Sequence, residues 1–95
     1  MPTYRLEPID ANHADWRASR LPPTPIWVNA PTEGDARRMA QQVSVQFSRF
    51  TEKIIYNPWL SAGMVTCIED ASKELPENTV LTGDGKLFPI KALSR

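Results

Sequence analysis

At 95 residues the chain has material for one compact domain and not for two, so residues 1–95 are taken as a single domain. Its 41% hydrophobic and 23% charged residues exclude wholesale disorder, and no apolar run approaches the roughly 18 residues that a membrane helix needs. Lys plus Arg and Asp plus Glu each total 11, and this zero net charge excludes a whole-chain field that would steer nucleic acid toward the protein.

A single cysteine, Cys67, excludes an internal disulfide framework and any cysteine-rich zinc module, which fits a reducing compartment. The N-terminal stretch carries Arg5, Glu7 and Asp10 where a signal peptide needs an apolar core, so a cytoplasmic protein is expected.

Along the chain, Thr3 to Ile9 alternates Tyr4 and Leu6 with Arg5 and Glu7, the pattern of a half-buried strand that Pro8 ends or confines to an edge. Asp10 to Arg20 is polar apart from Trp16 and alanines, and reads as a loop with one helical turn at most. The prolines of Leu21 to Pro25 force an extended path, and Ile26-Trp27-Val28 follows as a short strand. Thr32 to Phe50 is the clearest element. Thr32 is placed to cap a helix with Asp35 in the capping-box position, and Glu33 and Asp35 suit the helix dipole. Ala36, Met39, Ala40, Val43, Phe47 and Phe50 form one apolar stripe at helical spacing.

Lys53 to Tyr56 fits either a strand or a continued helix, and Asn57-Pro58 breaks it. Trp59 and Leu60 read as a hydrophobic plug on a loop. Met64 to Glu69 reads as a strand with Met64, Thr66 and Ile68 on one face, and residues 70–78 form a charged loop. A hairpin closes the pattern: Thr79 to Thr82, a type I′ turn on Asp84-Gly85, and Lys86 to Phe88, a register that pairs Leu81 with Phe88. Pro89 restricts the last strand to an edge. The expected fold is α+β, in the order β-β-α-β-β-β, with one main amphipathic helix packed on a small, mostly antiparallel sheet.

The run Tyr4 to Asp10 (YRLEPID), Asp15 to Ser19 (DWRAS), Trp27 to Ala30 (WVNA) and Thr32 to Ala40 (TEGDARRMA) resembles a group of short bacterial proteins of uncharacterised function. That group shares a YRLxPxD strand, a DWxAS turn, a short strand and a helix opening with acids and ARRxA. Pro58-Trp59-Leu60 and Val65-Thr66-Cys67 fit its downstream pattern, whereas the proline segment and the C-terminal hairpin depart from it. The resemblance implies a bacterial or phage origin and one compact fold, and it implies no activity.

Chemistry-bearing residues are sparse. Asp10, His13 and Asp15 offer one imidazole and two carboxylates, but a metal site needs three or four ligands held on regular elements, so a solvated turn is the expected reading. No metal and no cofactor is therefore expected. Cys67 and His13 are the one conceivable cysteine–histidine pair, and a strand cysteine ordinarily behaves as a small apolar group. Gly83 to Lys86 lacks the earlier glycine and the following Ser or Thr of a phosphate loop. Arg37, Arg38, Arg49 and Lys53 suggest a basic helix face, which zero net charge makes a poor nucleic-acid binder.

The tryptophans carry the functional expectation, because indole is over-represented at interface hot spots. Trp16, Trp27, Trp59, Arg38 and Arg49 are the expected interaction residues. The expected function is a non-enzymatic protein-interaction module, working through an open sheet face or an edge strand, with a homodimer as one way to cover that face. One specific version is a phage-encoded inhibitor of a host defence complex, anti-CRISPR-like. The alternative class is an enzyme, or a small-ligand or metal-binding protein, using Asp10, His13 and Asp15.

Overall fold

The computed structural model describes residues 1–14, 16, 21–45 and 58–90. Its elements run β1 (Thr3–Pro8), β2 (Ile26–Asn29), α1 (Glu33–Val45), a 3₁₀ turn (Pro58–Leu60), β3 (Val65–Glu69), β4 (Thr79–Leu81) and β5 (Leu87–Pro89). The strands form one antiparallel sheet in the order β3-β1-β2-β4-β5, with α1 packed on one face. This is the expected α+β arrangement in the expected chain order.

Period-two burial explains the sheet. Leu6, Ile26, Val28, Val65 and Val80 are fully buried toward the helix, and Tyr4, Cys67 and Phe88 pack against them. From α1 the stripe Ala36, Met39, Ala40 and Val43 meets them, each with no exposed surface. The helix begins as its sequence dictates. The Asp35 N–H donates to the Thr32 hydroxyl at 3.1 Å, and that hydroxyl donates to the Asp35 carboxylate at 3.0 Å. The shorter acid thus closes the box on the side chain of Thr32 rather than on its backbone. Phe47 and Phe50 of the expected stripe, and Lys53 to Tyr56, lie outside the described residues.

β1 ends at Pro8, one of the two outcomes expected of that proline, and it lies between β3 and β2 rather than at an edge. The ladder explains why the proline is tolerated. The Ala30 N–H donates to the Pro2 carbonyl, so the even residues of β1 turn their backbone groups toward β2. The last of these paired with β2 is Leu6, opposite Ile26, so the N–H that Pro8 lacks has no strand partner to lose. Met64 also differs from expectation. It precedes β3 in a turn closed by its N–H to the Ser61 carbonyl at 3.1 Å, and it is buried rather than sharing a face with exposed Thr66 and Ile68.

The hairpin turn is the largest correction. The Thr82 N–H donates to the Lys86 carbonyl at 2.9 Å and the Gly85 N–H to the Thr82 carbonyl at 3.0 Å, so Gly83, Asp84 and Gly85 form a three-residue loop. Gly85 has φ of 89° while Asp84 is not left-handed, which excludes type I′. The Thr82 hydroxyl holds this geometry, accepting from the Lys86 N–H at 3.2 Å and donating to the Asp84 carboxylate. Gly83 is required by a close approach: a Cβ there would stand 2.8 Å from the Thr24 Oγ1 and 3.2 Å from the Pro25 carbonyl. The register therefore moves by one residue, pairing Leu81 with Leu87 and Val80 with Phe88. Such a slip exchanges faces, so Phe88 joins the core and Leu87 is left 53% exposed on the other side.

Candidate interaction surface

Cross-strand pairing fixes what the face opposite α1 presents. Ile68 of β3 lies opposite Arg5 of β1, Arg5 opposite Trp27 of β2, Trp27 opposite Leu81 of β4, and Leu81 opposite Leu87 of β5. Directly opposed residues share a face, so these five side chains form one row across the whole sheet. Ile68 and Leu87 at its ends are 51% and 53% exposed, and Arg5, Trp27 and Leu81 are partly exposed. Among the described residues no helix covers this row.

Trp27 is held in place by charged neighbours rather than by core packing. Its indole N–H donates to the Asp70 Oδ2 at 3.4 Å, and the Arg5 Nη1 donates to the same oxygen at 3.2 Å. The Lys73 Nζ sits 4.8 Å from the indole ring centroid, within cation–π range. Asp70 is itself anchored, with its Oδ1 accepting the Ser72 N–H at 2.9 Å. That bond first, then the Ser72 hydroxyl, the Trp27 indole and Arg5, hold its carboxyl below the usual carboxylate range against the opposing effect of burial. The loop after β3 is thereby folded onto one end of the face. Asn29 fixes its far side by donating to the Leu75 carbonyl at 3.1 Å. A shallow cleft of about 300 Å³ remains between that loop and the first residues of the chain.

The other expected interaction residues are placed differently. Trp59 is fully buried and Trp16 nearly so, their rings meeting edge-to-face with centroids 5.0 Å apart. The Trp16 indole N–H is spent on the Asp10 carbonyl at 3.0 Å. Both tryptophans are core residues, and the expectation that they face a partner is corrected on that ground. Arg38 is exposed on α1 and paired with Asp35, remote from the Trp27 row. Arg49 lies outside the described residues, as does Asp15. Arg37 is buried, donating twice to the Glu33 carboxylate at 3.2 Å and once to the Ser61 carbonyl at 3.3 Å. A basic face built on Arg37 and Arg38 is thus largely neutralised within the helix.

The remaining candidates resolve locally. The Asp10 Oδ1 accepts the Asn12 N–H at 3.0 Å and the Asp10 carbonyl accepts the His13 N–H at 3.1 Å, a side-chain-capped turn. Among the described residues no group of three His, Cys, Asp or Glu side chains is arranged to hold a metal ion. The Cys67 thiol is half-buried and its pKa is pushed up to about 11 by burial, the opposite of an activated nucleophile. Among the described residues no helix is long and apolar enough to cross a membrane.

Sequence reasoning put Trp27 on the face opposite Ile26 and Val28 but missed its neighbours Ile68, Leu81, Leu87, Asp70 and Lys73. Alternation within Val65–Glu69 already separates Ile68 from Val65, and only the sheet order brings it into line with Trp27. Compared with protein-family models, with curated proteins and with solved structures, the chain finds no match in any of the three.

Proposed function

We propose that this chain is a non-enzymatic protein-interaction module that docks a partner on the sheet face opposite α1, with Trp27 as its anchor. The observation that carries this reading is the row from Ile68 through Trp27 to Leu87, four apolar side chains interrupted by Arg5 and left uncovered among the described residues. Aromatic and aliphatic side chains aligned on an uncovered sheet face are the composition of an interface centre. The indole is already oriented by Asp70, Arg5 and Lys73, so little side-chain freedom is lost on docking. The fitting partner offers an apolar ridge with flanking charges of both signs, since the face carries Arg5 and Lys73 beside Glu7 and Asp70. A reducing, cytoplasmic setting accords with the single, unactivated cysteine. The enzyme or metal reading through Asp10, His13 and Asp15 has no comparable support: Asp10 Oδ1 caps its own turn, Asp15 lies outside the described residues, and among those residues no three such ligands are grouped.

The test compares proteins retained by the immobilised wild-type chain with those retained by Trp27→Ala, Leu87→Lys and Arg38→Ala. A partner kept by wild type and Arg38→Ala, and lost with both face substitutions, is the expected result. Identical retention by all four would refute the assignment of the face.

A further inference from the structure

The sheet ends in two edges, and they are built differently. On β5, Ile90 donates to the Asn78 carbonyl and Thr82 to the Lys86 carbonyl, so the even residues of β5 face β4 and the odd ones face outward. Pro89 occupies one of those outward positions and lacks an N–H, which blunts that edge. On β3 the parity follows in the same way. The Ile9 N–H donates to the Met64 carbonyl at 2.9 Å and the Asp70 N–H to the Thr3 carbonyl at 2.7 Å, so Thr66 and Ile68 face β1 through their backbones. Val65, Cys67 and Glu69 therefore turn their backbone groups outward. Among the described residues no strand pairs with that edge. It carries no proline, no lysine and no bulge, and Glu69 is its one charged residue.

We infer that β3 is a dimerisation edge whose occupant is β3 of a second copy of this chain, the two strands pairing antiparallel about a two-fold axis beside Ile68. This rests on the reading of the sheet as an interaction surface and names one of its partners. The register follows from three observations. The Val65 N–H is already taken by the Ser61 carbonyl at 3.0 Å, so an axis on Cys67, which would set Val65 against Glu69, leaves each of those pairs one bond instead of two. An axis on Ile68 instead pairs Cys67 with Glu69 of the other copy, and each such pair exchanges two backbone hydrogen bonds between groups that are turned outward. It also sets Ile68, 51% exposed in one chain, against its own counterpart at a non-hydrogen-bonded position, where facing side chains come closest.

No like charges oppose one another in this register, since Thr66 faces Asp70 and Cys67 faces Glu69. Zero net charge removes general repulsion between the copies. The row Leu87, Leu81, Trp27, Arg5, Ile68 would then run without a break into the same row of the second copy, giving one continuous sheet with a doubled docking strip. Self-pairing of this kind is isologous and closes after two copies, because each chain uses its one unblunted edge.

The experiment combines sedimentation of the full chain over a concentration series with disulfide trapping in a Cys67→Ser background. Opposed residues at a non-hydrogen-bonded position stand about 4.5 Å apart at Cα, inside the range a disulfide spans. Ile68→Cys in that background is expected to give a covalent dimer under mild oxidation, and Thr66→Cys is not. Glu69→Pro removes an outward N–H without touching a bond to β1, and should weaken the wild-type dimer by about tenfold or more. If the cysteine variants fail to fold, the comparison of wild type with Glu69→Pro, each checked by circular dichroism, decides alone. A wild-type chain that stays monomeric at every concentration, or equal trapping at positions 66 and 68, overturns the inference. A monomer that still takes a partner in a Trp27-dependent way overturns the dimer and leaves the docking face standing, while a dimer with no such partner does the reverse.

Discussion

If Trp27 is a docking anchor and Trp59 a core residue, removing each indole must have very different consequences for folding. Trp59 has no exposed surface and packs edge-to-face on Trp16, so Trp59→Ala leaves a large cavity, at a cost of about 3–5 kcal/mol. A 95-residue domain has only about 5–14 kcal/mol in total, so this change takes from about a fifth of its stability to all of it. Trp27→Ala removes a long hydrogen bond to Asp70 and a cation–π contact with Lys73 at partly exposed positions, at about 0.5–1 kcal/mol each. Arg5 still neutralises Asp70, so no buried charge is stranded. The expected loss is about 1–2 kcal/mol, or a fall in Tm of roughly 5–15 °C for a domain of this size. Urea titrations followed by far-ultraviolet circular dichroism measure both variants without relying on the tryptophans as probes, and the slope m should match wild type for Trp27→Ala. A Trp27→Ala protein that is unfolded, or as destabilised as Trp59→Ala, would make Trp27 a folding residue and remove the basis for its role as anchor.

Two further outcomes check the local chemistry. Thr32→Ala removes the acceptor of the Asp35 N–H and should cost about 1 kcal/mol in the same titration, whereas Thr32→Ser, which keeps the hydroxyl, should cost much less. Cys67 should react slowly with a maleimide or iodoacetamide near neutrality, its rate climbing with pH toward a midpoint near 11. Because burial raises the folded pKa, the stability tied to the protonated thiol is whole below the ordinary thiol value of 9.0 and is lost as pH rises through about 11; an alkylation midpoint at or below 9 would contradict the placement of Cys67 against the core.

The sequence was informative wherever local chemistry decides. Thr32 and Asp35 announce the start of α1, and alternation from Tyr4 to Glu7 and from Ile26 to Val28 assigns faces correctly. It was misleading where a tertiary partner decides. Asp84-Gly85 signals a type I′ turn, yet the Thr82 hydroxyl satisfies Asp84 and the Lys86 N–H within a three-residue loop, and one added residue moves Leu87 to the open face. Trp16 and Trp59 stand in irregular segments more than forty positions apart, with no period to reveal that their rings meet. Lys73 and Asp70 were legible only as members of a charged loop, because their contact with Trp27 depends on β3 lying beside β1 and thus one strand away from β2.

That sheet order also explains why the polar residues of the open face gather where they do. Arg5 sits between Ile68 and Trp27 in the row, so it is the one position from which a guanidinium can reach the loop leaving β3 and still neighbour the indole. Asp70, the first residue after β3, donates its N–H to Thr3 and turns its carboxylate to Arg5 and Trp27 together. The same residue thus ends the edge strand and orients the proposed anchor. Pairing at the β3 edge would set Thr66 of a second copy opposite Asp70, and through it act on the position of Trp27. Were both the docking face and the dimer edge in use, Asp70 would serve each, and Asp70→Asn, which keeps the shape but loses the charge that Arg5 faces, is expected to weaken partner retention and dimerisation together.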